Sequence, residues 1–189
     1  YGVLQPGADL PDGIPFVRVC DLENGTVSTR AIKRIAAPID AQYPRTRLHG
    51  REVLVTLVGT IGRTAVVQME LAGANVARAV GVLPLCPHAI PEYVRMALDV
   101  PAKNTELNDL AREVARKTLN LGLLKAVQVP LPPAAEQAEI VRRVDSLMKL
   151  ADAIERRVAA AHARAEKLTQ SILAKAFRGE LVPAAVEAE

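Results

Sequence analysis

The sequence predicts an α+β protein, in which a mixed α/β head of about 130 residues is followed by one long projecting α-helix. Three observations lead there. The first part is filled by short apolar runs separated by Gly- and Asn-containing turns. Prolines then cluster at Pro130-Leu131-Pro132-Pro133, where missing backbone donors and fixed φ exclude a helix interior but suit a helix start. From Ala134 to Arg178 there is neither Pro nor Gly, and apolar residues recur at heptad spacing.

Taken in order, Ile14 to Leu22 alternates apolar and polar residues and runs into Glu23-Asn24-Gly25, a hairpin-type turn. Glu52 to Val58 reads as a buried strand, Gly59-Thr60-Ile61-Gly62 as a tight loop, and Thr64 to Met69 as the returning strand. Val76 to Leu85 continues as a strand. Pro91 to Val100 carries Pro at the first helical turn and Tyr93, Val94, Ala97 and Leu98 on one face. A further helix is expected from a cap at Asn104 or Thr105 to about Arg116, and Lys125 to Leu131 as a last short strand.

In the long helix, Ile140, Val144, Leu147, Ala151, Ile154, Val158, Ala161, Ala165, Leu168 and Ile172 stand alternately four and three apart, the seam of a coiled coil. At 1.5 Å per residue the helix is roughly 67 Å long, more than a head of this size can cover. Its apolar stripe therefore calls for a partner helix from another chain or from a missing part of the same one. Gly179 supplies the stop after the cationic Lys175 and Arg178. The expected organisation is a head over 1–130, the helix over 131–178 and an acidic tail over 179–189.

Composition narrows the function. Aromatics supply 3% of 189 residues with no Trp, which disfavours single-strand binding by base stacking. Cys20 and Cys86 are isolated, as are His49, His88 and His162, so neither a zinc site nor a disulfide framework is indicated. No apolar run reaches bilayer length and no leader opens the chain, so the expectation is a cytoplasmic protein with no membrane partner. Lys and Arg exceed Asp and Glu by 15 to 12 over residues 1–130 and by 9 to 6 over 131–178, while 179–189 holds three acids and no base. This balance permits nucleic-acid binding without requiring it.

Several residues suit base or phosphate contact. The Gly59–Thr64 loop lacks the pattern of a phosphate loop and is either a plain hairpin turn or a contact presenting Thr60 and Arg63. Asn75 and Arg78 each have the bidentate geometry that matches adenine and guanine edges, or are solvated strand residues. Arg112, Arg116 and Lys117 bring positive charge onto one segment, as phosphate contacts or as a solvated face. No catalytic constellation emerges. Leu131-Pro132-Pro133-Ala134 lacks the polar side chain and aromatic ring of a nucleotide-methyltransferase motif.

Pro130-Leu131-Pro132-Pro133-Ala134-Ala135-Glu136-Gln137 with Glu139-Ile140-Val141, and Ala176-Phe177-Arg178-Gly179-Glu180-Leu181-Val182-Pro183, resemble the conserved coiled-coil region of type I restriction-modification specificity subunits. Upstream, Phe16-Val17-Arg18-Val19 with Asp21-Leu22, Val53 to Gly62 and Ala74 to Val80 resemble their target-recognition domain. The resemblance implies a noncatalytic subunit that reads double-stranded DNA and docks modification subunits, with a restriction subunit as a further partner. No cofactor is expected in this chain, and S-adenosylmethionine belongs to the partner modification subunit. A complete subunit carries two recognition domains and two conserved helical regions that pair antiparallel. This chain carries one of each and resembles a truncated carboxyl-terminal half, so its helix is expected to pair with the other half of the subunit or with a second copy.

The candidate DNA-binding residues are thus Thr60, Arg63, Asn75, Arg78, Arg116 and Lys117. The candidate coiled-coil interface is Ile140, Val144, Leu147, Ile154, Val158, Leu168 and Ile172. Two other classes compete: a coiled-coil interaction scaffold that does not read DNA, and an enzyme whose site is assembled from scattered residues. Salt-dependent DNA retention separates the first from a reader, and activity of the isolated chain would establish the second.

Overall fold

The computed structural model describes residues 1–113 and 117–181. The chain forms two compact units, Tyr1–Val141 and a second beginning at Arg142. In chain order come β1 (Ile14–Val17), β2 (Leu22–Glu23), β3 (Gly25–Val27), β4 (Lys33–Ile35), α1 (Ala37–Asp40), β5 (Val53–Thr56), β6 (Thr64–Val66), β7 (Asn75–Val76) and β8 (Val80–Leu83). Then follow α2 (Pro91–Asp99), α3 (Pro101–Leu110), β9 (Arg112–Glu113), β10 (Lys117–Thr118), α4 (Leu121–Leu124) and α5 (Ala134–Phe177).

A five-stranded sheet of order β2-β3-β6-β5-β8 forms the framework of the first unit. The β2–β3 hairpin closes on Asn24-Gly25, both at positive φ (49° and 76°), which is the mirror-image turn whose twist matches paired strands. β5 is buried at every position because it is covered on both faces. Leu54 packs with Val17, Leu22 and Val76 in one core, while Val53 and Val55 meet Tyr93, Val94, Leu98 and Leu107 of the helices in another. Alternation along a strand sends these neighbours to opposite sides, and each full burial contributes roughly 1.5–3 kcal/mol. A separate sheet, β4-β1-β7, carries Phe16 and Ile35 into a third cluster with Val3.

The β5–β6 hairpin, α2 and the long helix lie where the sequence indicates, but four readings change. Val76–Leu85 is not one strand. Asn75–Val76 pairs in parallel with β1, and Val80–Leu83 pairs antiparallel with β5 in the other sheet. The second helix starts at Pro101 and ends at Leu110, because Pro suits a first helical turn and Val100 already holds the extended conformation that precedes one. Lys125–Leu131 is not a strand. Asn120 caps α4 by accepting from Gly122 N at 2.7 Å, and the chain then leaves this turn toward Pro130, whose carbonyl accepts from the Tyr93 hydroxyl at 2.9 Å.

The fourth change concerns the domain edge. The first unit runs to Val141 rather than ending near residue 130, because Ile140 and Val141 pack into the helical core. Gln137, 1% exposed, fastens this start of α5. Its amide nitrogen, Nε2, donates to His88 O at 3.0 Å and Pro132 O at 2.7 Å, while its Oε1 accepts from Ile90 N at 2.8 Å. Ile140, expected on the coiled-coil seam, is half-buried against the helical core of the head. In the second unit Leu147, Ile154, Val158, Leu168 and Ile172 are exposed and Val144 is half-buried. The expected acidic tail lies outside the described residues from Val182 onward.

Candidate nucleic-acid interface

The β5–β6 loop is held rigidly by its own sequence. The buried Thr56 hydroxyl donates to Thr60 O and accepts from Arg63 N at 3.0 Å, while Gly62 N donates to Thr56 O at 3.1 Å. Ile61, 4% exposed, plugs the loop into the helical core. Backbone bonds tie it to neighbouring segments on either flank: Leu57 N to Ala79 O at 2.8 Å, Leu119 N to Leu57 O at 2.8 Å and Gly59 N to Lys117 O at 3.4 Å. The loop tip is left facing outward, with Thr60 and Arg63 exposed.

Of the six expected DNA-binding residues, Thr60 and Arg63 stand on this hairpin, and Lys117 and Arg78 lie on the segments whose backbone is bonded to it, Arg78 in the turn before β8. Arg63 donates from one guanidinium nitrogen, Nη1, to Leu22 O at 3.2 Å, and its side chain is otherwise exposed. Lys117 lies on β10 rather than on a helix, and Arg78 is exposed beside a cavity of about 460 Å³ lined by Tyr43, Leu57, Val58 and Thr118. Arg116 lies outside the described residues.

Asn75 does not belong with them. It is fully buried, donating from Nδ2 to Asp40 Oδ1 at 2.8 Å and Tyr43 O at 3.1 Å, and accepting at Oδ1 from Thr46 Oγ1 at 2.7 Å and Val76 N at 2.9 Å. A side chain with this many internal partners has no free edge for a base, and its work is to tie β7 to α1 and the turn after it. Burial opposes ionisation of Asp40, but hydrogen bonds from Arg47 and Asn75 outweigh it and hold the carboxyl below its ordinary value.

The outer side of the loop forms one wall of a polar groove of about 470 Å³ that also takes in Gly25, Thr64, Asp99, Asn104 and Asn108. Asp99 is already satisfied there by the Thr64 hydroxyl and by Arg95 Nη1 at 2.7 Å. Helix α3 approaches the loop closely at Gly62, where a Cβ would stand 3.3 Å from Asn104 Nδ2 and 3.5 Å from Leu107. With φ at 84°, Gly62 serves both the turn and this approach. Asn108 Nδ2 donates to Asn104 O and Oδ1, both at 2.8 Å. The two asparagines went unnoticed as site residues in the sequence. Their spacing of four on a helix beginning at Pro101 was the signal available, and only folding brings that helix to the loop.

Among the described residues no three His, Cys, Asp or Glu side chains group to hold a metal ion, and no helix is long and apolar enough to cross a membrane. Comparison with known proteins gives concordant matches. The family model described as the type I restriction modification DNA specificity domain matches residues 11–161. The EcoBI type I restriction enzyme specificity subunit of Escherichia coli is 48% identical over 182 residues, covering 96% of this chain and 38% of that protein. The EcoKI specificity subunit of Escherichia coli strain K12 is 36% identical over 179 residues, covering 89% of this chain and again 38% of the relative. The chain thus spans little more than a third of the length of these relatives.

Two solved structures share the fold at 22% identity. One, from work on assembly and conformational transition of the type I R-M system, superposes with a TM-score of 0.72 over 96% of this chain and 43% of that chain. The other, the HsdS subunit from Thermoanaerobacter tengcongensis, gives 0.62 over 95% and 42%. The head topology, the long helix after the proline cluster and these matches agree, and the chain belongs to the type I restriction-modification DNA specificity family.

Proposed function

We propose that this chain is a noncatalytic DNA-reading piece of a type I specificity subunit. Its head reads one half-site of double-stranded DNA, and its long helix pairs with the other half of the subunit or with a second copy. Methyl transfer is the work of partner modification subunits using S-adenosylmethionine, with a restriction subunit joining the complete enzyme in the cytoplasm. The observation that carries the reading is the stapled β5–β6 loop, which holds Thr60 and Arg63 outward, with Lys117 of β10 and Arg78 of the turn before β8 on the segments bonded to it. A fixed framework with exposed polar tips suits base and phosphate contact, because affinity comes from phosphates and specificity from base edges. The exposed apolar stripe of the second unit supports pairing.

The test is duplex binding measured across single-base variants and salt concentrations. A reader binds with a negative salt slope and prefers one sequence. Arg63→Ala should then lose about 1–3 kcal/mol at one base position if Arg63 reads a base, or weaken all sequences alike if it holds phosphate. Arg78→Ala divides the same two ways. Unchanged affinity for every duplex in both variants removes both residues from the surface, and absence of salt-dependent DNA retention leaves the interaction scaffold as the function.

A further inference from the structure

The groove between the β5–β6 loop and α3 has a hydrogen-bonding pattern more specific than a general polar surface. Asn104 and Asn108 lie one turn apart on the same face of α3 and both line it. Asn108 commits its amide nitrogen to Asn104, once to the main-chain oxygen and once to Oδ1. A primary amide has two N–H donors and one carbonyl acceptor. Both donors of Asn108 are therefore used and its Oδ1 is open, whereas Asn104 turns its Oδ1 to Asn108 and its Nδ2, lying against Gly62, has no partner among the described residues. The pair sets the Oδ1 acceptor of Asn108 beside the Nδ2 donors of Asn104, held together by the two hydrogen bonds from Asn108 Nδ2 to Asn104.

We propose that Asn104 and Asn108 act as one composite reader of an adenine edge in the major groove. This rests on the proposed DNA-reading function and names a specificity-determining pair within it. The major-groove edge of adenine presents an N6 donor beside an N7 acceptor, the complement of this pair. Guanine presents two acceptors and would leave Asn108 Oδ1 facing O6 or N7. Cytosine presents only the N4 donor, and thymine an acceptor beside a methyl group, so each leaves one member unpaired. An unpaired polar group in a closed contact costs more than its hydrogen bond would contribute, which turns the mismatch into discrimination.

The surroundings fit an incoming base pair. Asp99, the one acidic side chain among the described residues lining the groove, is held by Arg95 and Thr64 and does not face it as a free charge. Arg63 on the opposite wall keeps exposed guanidinium donors for an adjacent phosphate or guanine. The arrangement needs no side-chain rearrangement to meet its target, since the lock between the asparagines is present without DNA.

The experiment measures binding of the whole 189-residue chain to a randomised duplex library, compared with three variants. The unsubstituted chain should require adenine at one position. Asn108→Ala should lose roughly 5- to 140-fold of that discrimination at that position alone, the range expected of one bidentate contact. Asn104→Asp retains an acceptor for Asn108 Nδ2, and so the lock and the fold, but replaces the open donor by an acceptor. Adenine preference should then give way to cytosine, whose N4 amino group two acceptors can share. Lys103→Ala, on the same helix but paired with Glu106 at 2.7 Å outside the groove lining, should leave every preference unchanged. Retained adenine preference in Asn104→Asp overturns the inference while leaving DNA reading intact, and an unsubstituted chain that binds all duplexes alike overturns both.

Discussion

At the scale of single residues, Asn75 and Asn104 divide the same chemistry between structure and recognition. Asn75 turns all of its polar groups inward, so removing them takes away the side-chain partner of Asp40 Oδ1 and of Val76 N and one partner each of Tyr43 O and Thr46 Oγ1. Asn75→Ala should cost about 1–3 kcal/mol or more, read from urea unfolding, with the base preference of the remaining folded protein unchanged. Asp40 adds a pH signature. Its native pKa lies below its unfolded one, so its stabilising contribution is fully present above the ordinary carboxyl range and is lost as pH falls through that range to the depressed native value. The melting temperature of the unsubstituted chain should therefore fall toward that of Asp40→Asn on acidification. Parallel curves across that window would show that ionised Asp40 does not support the fold.

At the scale of elements, local pattern was legible where one element carries its own signal. The Val53-Leu54-Val55-Thr56 run, the Gly59–Gly62 loop and the returning strand form a hairpin because their pairing with each other is local. The same holds for Pro91 at the start of α2 and for the uninterrupted α5. The stretch from Asn75 to Leu83 was not legible, since its apolar pattern is compatible with one strand and only the sheets around it divide it in two. Ile140 has the spacing of a coiled-coil position, but heptad spacing does not reveal what covers it, and part of its surface packs against the head core. The exposed loop positions of Thr60 and Arg63 followed from the hairpin, whereas the burial of Asn75 depended on α1 and the turn beyond it, elements the sequence did not announce.

The start of α5 is also where two elements are joined by one side chain. Gln137→Met preserves length and apolar contact but leaves His88 O, Pro132 O and Ile90 N without their partner. A cost of about 1–3 kcal/mol is expected, with amide exchange at Ile90 and the first turns of α5 faster by about tenfold for each 1.4 kcal/mol. Unchanged exchange there would mean that Tyr93 and the Ile140–Val141 packing hold the helix start unaided. Farther along, Ile154 is exposed in the chain by itself, at 51%. If the helix pairs as proposed, Ile154→Asp introduces an unpaired charge into the seam and should separate the partners in sedimentation while leaving the helix signal in circular dichroism. An unsubstituted chain that stays monomeric at high concentration would eliminate a second copy as the partner and direct the search to the other half of the subunit.

At the scale of the whole molecule, the family membership and the length of α5 combine into a proposal about spacing. Its 44 residues extend about 66 Å, close to two turns of DNA at 34–36 Å each. Paired with an equivalent helix, such an arm can set the distance between two half-sites while each head reads its own. Deleting seven residues between Leu147 and Leu168 shortens an ideal helix by about 10 Å and nearly keeps the seam in register, since seven residues are close to two helical turns. The preferred spacer length should shorten, by about 3 base pairs if it follows the helix at 3.4 Å per pair, while each half-site sequence stays the same. The measurement restores the complete methyltransferase with shortened arms and maps methylation over a library of spacer lengths. An assembled, active complex with an unchanged spacer optimum would show that the helix joins the two readers without measuring the distance between them.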